Sequence, residues 1–459
     1  MRQIKHSFQV FSFYDRSGME AYLEKQSEKG WLLEEIGALC WRFRRAEPRT
    51  RHFAVSYFPH ASAFDAEPSE YQQRFLEFCA HDGWQLAATN AQMQIFCNEA
   101  PDPTPIETDA AIEVENIHRS VKKSFLWQWS IVPLMGLLQV GMFTWRAVTD
   151  PIGALDSNAG FYAGVCWMVA LLLALTDSLG YLLWYLRAKR AAENGEFVQT
   201  KGTPRKIMTV LLVLFAAFTL FVLVHSSGKE VRIALVLAAM IILTAALVLF
   251  TIRDMKRRKL SSTRIRVGVL ALVVLMVFNA VRLVNLMVIK DGSHEPAGRY
   301  EHNGFHVPYY HDELPLYVED MVDVEDSEVY SHELSEKESL FMESLEAAQR
   351  PFWTVTAQPG LRYTVRQVKT APLFEPVLRQ TLAEFAQDYE RPEPKSPGWE
   401  QHLTVDAEPW GADAAYQLSL GGEEKQRYIL CYDTRIVEID FDWEPDDAAR
   451  ALVGQTLGR

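Results

Sequence analysis

Residues 126–148 read LWQWSIVPLMGLLQVGMFTWRAV, and four runs of the same character follow: 161–186 (FYAGVCWMVALLLALTDSLGYLLWYL), 207–225 (IMTVLLVLFAAFTLFVLVH), 233–252 (IALVLAAMIILTAALVLFTI) and 267–289 (VGVLALVVLMVFNAVRLVNLMVI). A helix rises 1.5 Å per residue, so about 20 apolar residues cross about 30 Å of hydrocarbon. Each run is near that length. Five in succession distinguish them from the buried helices of a soluble core, and the block 126–289 predicts a polytopic α-helical membrane domain of five spans.

Lys and Arg set the expected direction, because basic loops stay in the cytoplasm. Arg119, Lys122 and Lys123 precede the first span; Arg187, Lys189, Arg190, Lys201, Arg205 and Lys206 lie between the second and third. Arg253, Lys256, Arg257, Arg258, Lys259, Arg264 and Arg266 lie between the fourth and fifth. The intervening segments carry none (149–160) or only Lys229 and Arg232 (226–232). An odd number of spans then predicts a multi-pass cell-membrane protein with its N-terminus cytoplasmic and its C-terminal domain extracytoplasmic. Membrane lipids are expected partners, since basic loops attract anionic headgroups.

The 459-residue chain has a formal net charge of -13, unevenly spread. After residue 290 carboxylates outnumber basic side chains more than two to one, which argues against nucleic-acid binding because phosphate repels carboxylate. Of the cysteines Cys40, Cys79, Cys97, Cys166 and Cys431, one alone follows the spans, so the C-terminal domain is expected to fold without an intrachain disulfide. Residues 1–13 have no continuous apolar core, and no cleavable signal peptide is expected.

Residues 1–100 read as a cytosolic α+β domain built from a repeat. A strand (6–13), a helix (18–29) and two strands (32–36, 39–44) are followed by a strand (52–58), a helix (69–81) and two further runs (85–88, 92–97). Gly30-Trp31 and Gly83-Trp84 fall at the same point of each unit, 53 residues apart. Glycine there suits a left-handed helix cap, and tryptophan suits the seam between helix and sheet. Trp31 and Trp84 are thus core aromatics or, failing that, an interaction face. Strand-helix-strand-strand repeated makes a ferredoxin-like arrangement the expectation. Pro101, Pro103 and Pro105 open a segment, 101–125, expected to be an acidic linker ending in membrane-proximal basic residues.

The run from Tyr22-Leu23-Glu24-Lys25 through Lys29-Gly30-Trp31-Leu32-Leu33 and Arg42-Phe43, with Tyr71, Phe75, Phe78 and Asp82-Gly83-Trp84, resembles the module called domain of unknown function 2812. The resemblance covers about the first hundred residues. It implies a bacterial membrane protein, mostly of Gram-positive lineages, often encoded beside a PadR-type transcriptional regulator, and hence a cytosolic regulatory protein as partner. It implies no activity.

Residues 290–459 read as an acidic α+β outer domain. His302, His306 and His311 are separated by three and four intervening residues, as in N/S metal sites, but Gly304, Pro308 and Pro315 prevent a single helix; exposed loop histidines are expected and no metal. The acidic run 319–328 lacks the glycine and alternating oxygens of a calcium loop. Helices are predicted over 334–349, with Leu340, Phe341, Leu345 and Ala348 inward, and over 373–389, between Pro372 and Pro392. Strands are predicted over 361–368, 401–405, 415–420, 426–432 and 435–441, and a closing helix over 446–457. Gly421-Gly422 marks a hairpin turn.

Polar residues inside spans are costly and so candidates for function. Asp177 stands in the second, and Asn279, Arg282 and Asn285 share one face of the fifth. Helix-packing contacts are one reading and a sensing or transport pocket another; intramembrane aspartyl proteolysis needs two carboxylates, and Asp177 has no partner of its kind. No catalytic constellation and no cofactor motif accompanies them. The expectation is a sensor or regulatory protein linking an outer to a cytosolic domain, the alternative a transporter or accessory subunit with a polar pocket between spans two and five.

Overall fold

The computed structural model describes residues 3–37, 40–62, 64–65, 67–124, 126–200, 202–226, 228–292, 296–354, 358–383 and 399–459. The chain forms two compact units, one of Met1–Val140, Val165–Phe221 and Arg232–Asn285, the other of Gly141–Gly164, Val222–Val231 and Leu286–Arg459.

In the first unit the repeat is plain: β1 (Ile4–Phe8), α1 (Arg16–Glu28), β2 (Trp31–Ile36) and β3 (Cys40–Arg45) are echoed by β4 (His52–Tyr57), α2 (Glu70–His81), β5 (Gln85–Asn90) and β6 (Met93–Asn98). Asp15 caps α1 by accepting from the Gly18 amide, and Ser69 caps α2 through Gln72. Both helices end at a glycine in the left-handed region, Gly30 (φ 76°) and Gly83 (φ 81°), where a Cβ would be strained.

Each repeat closes its own antiparallel sheet, β1-β3-β2 and β4-β6-β5. The ferredoxin-like expectation is therefore corrected. Each middle strand, β3 or β6, already has partners on both sides from its own repeat, and the two sheets do not merge into one. What joins the repeats is side-chain packing: Met19, Leu23, Leu33 and Phe43 share a core with Phe53, Val55 and Ile95. The stretch expected as a linker is largely a helix, α3 (Ala110–Ser124), because Val114, Ile117 and Val121 recur on one face and enter that core.

Then come α4 (Leu126–Thr149), α5 (Pro151–Leu155), α6 (Asn158–Ala192), α7 (Thr203–His225), α8 (Gly228–Arg257) and α9 (Ser262–Gly292). All but α5 are long and apolar enough to cross a membrane. Their apolar side chains point outwards: Ile241 and Ile242 are each 69% exposed and Phe250 68%. Burying each such side chain is worth about 1.5–3 kcal/mol, so dozens of them left in water would outweigh the stability of any domain, and lipid removes the conflict. Where α4 meets α6, a Cβ on Gly136 would stand 3.0 Å from that of Leu171, which explains the glycine.

The second unit holds a hairpin, β7 (Gly298–His302) and β8 (Phe305–Tyr309), turning at Asn303 and Gly304, both of positive φ. Its main sheet contains β9 (Tyr330–Glu338), β10 (Met342–Pro351), β11 (Leu361–Val368), β12 (Glu400–Val405), β13 (Ala414–Leu420), β14 (Glu423–Cys431) and β15 (Arg435–Phe441), in the order β12-β13-β14-β15-β11-β10-β9, antiparallel throughout. α10 (Phe374–Ala383) covers one face through Val377, against Met342, Ile429 and Ile436; α11 (Asp447–Leu457) covers the other through Val453 and Leu457, with Trp410.

The helix expected over 334–349 is corrected to the β9–β10 hairpin. Met342, Ser344, Ala347 and Gln349 are the buried side chains of β10, and Ser339 closes the turn by accepting from the Phe341 and Met342 amides. Alternating Glu and apolar residues satisfy both periods over so short a run, and pairing with β11 decides between them. The later strands and the closing helix fall as expected. Of the helix expected over 373–389, the part beyond Ala383 lies outside the described residues, as does the Pro-rich turn 391–397.

Candidate functional site

The loop between β1 and α1 is unusually aromatic, with Phe11, Phe13 and Tyr14 ahead of the capping Asp15. Phe11 packs back on Tyr22 and Trp41 and Phe13 on Tyr57, within the domain's own core, while Tyr14 reaches α6. Tyr14 is 3% exposed; its ring meets Tyr181 edge-on at 5.6 Å and Trp184 at 5.5 Å, both on α6. Trp129 of α4 packs on Tyr181 at 4.7 Å, and His118 of α3 stacks on Tyr185 at 4.5 Å while its Nδ1 lies 2.7 Å from the Tyr181 hydroxyl. A Cβ on Gly180 would overlap the Tyr14 hydroxyl, so that glycine admits the tyrosine.

Asp177 lies one helical turn away. Its Oδ2 accepts from the Trp129 indole at 3.0 Å, and Ser12 and Tyr14 stand beside it. The carboxylate thus gathers α4, α6 and the β1–α1 loop. The same loop reaches α7, where Arg205 lies 4.0 Å over the Phe11 ring and donates to Gln9 at 2.6 Å. Beyond the cap, the Thr200 amide donates to Ser17 at 3.0 Å, and the Thr200 hydroxyl donates to Asp15.

The second repeat uses its equivalent loop, between β4 and α2, in the same way on a different turn. Ser262 donates to Asp65 at 2.7 Å, Lys259 pairs with Glu67 at 2.7 Å, and Arg266 lies 5.5 Å over Phe64. Each repeat therefore grips one span-connecting turn, α6–α7 or α8–α9, with the loop that precedes its helix.

Between α1, β4 and α3 lies a charge network in which one guanidinium serves three carboxylates. Arg16 donates to Glu113 at 2.6 Å and stands 3.6 Å from Glu20, with Glu107 close by. Glu20 accepts from the Val55 amide and Glu107 from Ser56. Burial outweighs the attraction of Arg16, so the Glu20 and Glu113 carboxyls are each pushed up to about 7, and burial raises Glu107 as well.

The other sequence candidates are dispersed. Asn279 donates to the Leu275 carbonyl of its own helix, and Arg282 is exposed; the Asn285 side chain lies outside the described residues. Asp177 and Arg282 are not brought together. Trp84 is 4% exposed and donates to the Thr104 carbonyl at 2.8 Å, whereas Trp31 is partly buried between Lys5 and Arg45. His302 and His306 sit on the β7–β8 hairpin and His311 next to His332; among the described residues no three His, Cys, Asp or Glu side chains could hold a metal ion. Sequence reasoning missed the grip. Phe11, Phe13 and Tyr14 were its one visible signal, being aromatic where a loop is ordinarily polar.

Residues 15–129 match a family model described as protein of unknown function (DUF2812), a stretch that runs from the cap of α1 through α3 to Trp129. No curated protein and no solved structure matches the chain.

Proposed function

We propose that the protein is a membrane-embedded sensor or regulatory protein, with its N-terminal domain in the cytoplasm and its C-terminal domain outside the cell membrane. The double grip carries this reading. A domain held at two span-connecting turns, and followed in sequence by α3 and then α4, shifts only if the spans shift with it. The basic residues at those same turns support the orientation.

The signal has a continuous carrier in α6, whose first residues belong to one unit and the rest to the other. Asn158, at its start, accepts from the Leu340 amide of the β9–β10 turn at 2.8 Å, and Phe161 packs edge-on against Phe341 at 4.8 Å. Tyr181, which meets the β1–α1 loop, belongs to the same helix. The transporter alternative rests on a polar pocket between spans two and five, with Asp177, Asn279, Arg282 and Asn285; the engagement of Asp177 with Trp129 favours the regulatory reading.

Two measurements test the proposal. A reporter fused after Arg459 that is active only in the cytoplasm would overturn the orientation. In-cell crosslinking from the N-terminal domain is expected to capture a cytosolic regulatory protein; unchanged transcription in a deletion strain, with no such capture, counts against regulation.

A further inference from the structure

The α8–α9 turn carries Arg253, Lys256, Arg257, Arg258, Lys259, Arg264 and Arg266, all but Lys256 exposed. Three are engaged: Arg258 with Asp254 at 2.9 Å, Lys259 with Glu67, and Arg266 with Phe64. Arg253, Lys256, Arg257 and Arg264 have no carboxylate partner among the described residues. They surround the ends of two candidate spans, where a guanidinium or ammonium on a long apolar stem reaches the headgroup layer.

We propose that this turn binds anionic lipid headgroups, and that the phosphates compete with the β4–α2 loop for it. The physical basis is that the turn holds one exposed acidic partner, Glu67, and leaves four basic side chains for another. Glu67 and Lys259 are open to solvent, and an exposed ion pair is weak, screened by salt and readily exchanged. A lipid phosphate offers the same charge with more acceptor oxygens, and Arg takes it in bidentate geometry. Lys259 has a positive φ of 51° where α8 ends, which sets its side chain off from the helix run that precedes it. An anionic bilayer thereby draws the basic side chains from the loop and loosens one of the two grips; a neutral bilayer leaves it closed.

The test uses the full chain in nanodiscs of phosphatidylglycerol or of phosphatidylcholine, with amide hydrogen exchange read over residues 58–69 and retained lipid read by native mass spectrometry. Phosphatidylglycerol is expected to stay bound and to raise exchange in the loop several-fold. A variant carrying Arg253→Gln, Arg257→Gln and Arg264→Gln, which leaves the loop's own partners intact, is expected to lose both effects. Equal exchange in the two lipids, or an effect that survives in that variant, overturns the proposal; so does retention of a short oligonucleotide without preference for the anionic lipid. Insertion in phosphatidylcholine discs checks the membrane reading separately.

Discussion

The Trp129 indole donates to the Asp177 carboxylate across 3.0 Å, tying α4 to α6 at the level where the β1–α1 loop docks. An apolar residue at position 177 removes that acceptor, and losing a partly buried hydrogen bond costs about 1 kcal/mol. Asp177→Leu is therefore expected to lower the thermal stability of the detergent-solubilised chain, while Asp177→Asn, which keeps an acceptor oxygen, stays near wild type. Equal melting of the two variants would show that the hydrogen bond contributes nothing.

Gly180 and Tyr14 form a steric pair. Adding one methyl at Gly180 pushes the Tyr14 hydroxyl out of its seat, at a cost of about 1–3 kcal/mol by the usual measure of overpacking. Gly180→Ala should make the N-terminal domain easier to cleave by trypsin. Tyr14→Phe removes the obstructed oxygen, so the double variant should recover much of the resistance. Additive damage would separate the two residues.

The network around Arg16 should make the N-terminal domain pH-sensitive. Glu20 and Glu113 move from an ordinary 4.5 to about 7 on folding, so the protonated form is the one folding favours. Their contribution is fully present below about 4.5 and is lost as pH rises through about 7, by at most about 3 kcal/mol each. The two share Arg16 and titrate together. Melting temperature should fall over that window, and Glu20→Gln should flatten the fall. A profile unaltered by that substitution would remove the network from the account.

Asn158, 1% exposed, binds the Leu340 amide with its oxygen and the His225 carbonyl with its nitrogen at 3.4 Å. Asn158→Ala strands the Leu340 amide, and about 1–3 kcal/mol should be lost. Hydrogen exchange localised to the β9–β10 turn is the measurement; unchanged protection there would deny Asn158 its role in holding the turn to α6.

The spans were legible because lipid imposes a length and a polarity that no other environment requires, and five runs of Leu, Val, Ile and Phe satisfy both. The N-terminal repeat was legible too, since Gly30 and Gly83 record a backbone need that only glycine meets cheaply. The β9–β10 hairpin was not. Residues 330–351 fit a helical as well as a strand period, and the choice belongs to β11, which lies beyond them in sequence. Asp177 was visible as an unusual residue, but its partner was not. Sequence suggested Arg282 by charge, whereas packing supplied the neutral Trp129, brought there by the close approach of α4 to α6 at Gly136.

Sequence by itself determined which segments are long and apolar enough to cross a membrane, where the helices of the repeat stop, and which turns are basic, because each follows from local composition and backbone preference. Tertiary structure alone decided that the two strand-helix loops seize the α6–α7 and α8–α9 turns. Such contacts join residues nearly two hundred positions apart, such as Asp15 to Thr200 and Asp65 to Ser262, and they depend on shape and on the geometry of single hydrogen bonds. No local pattern encodes those.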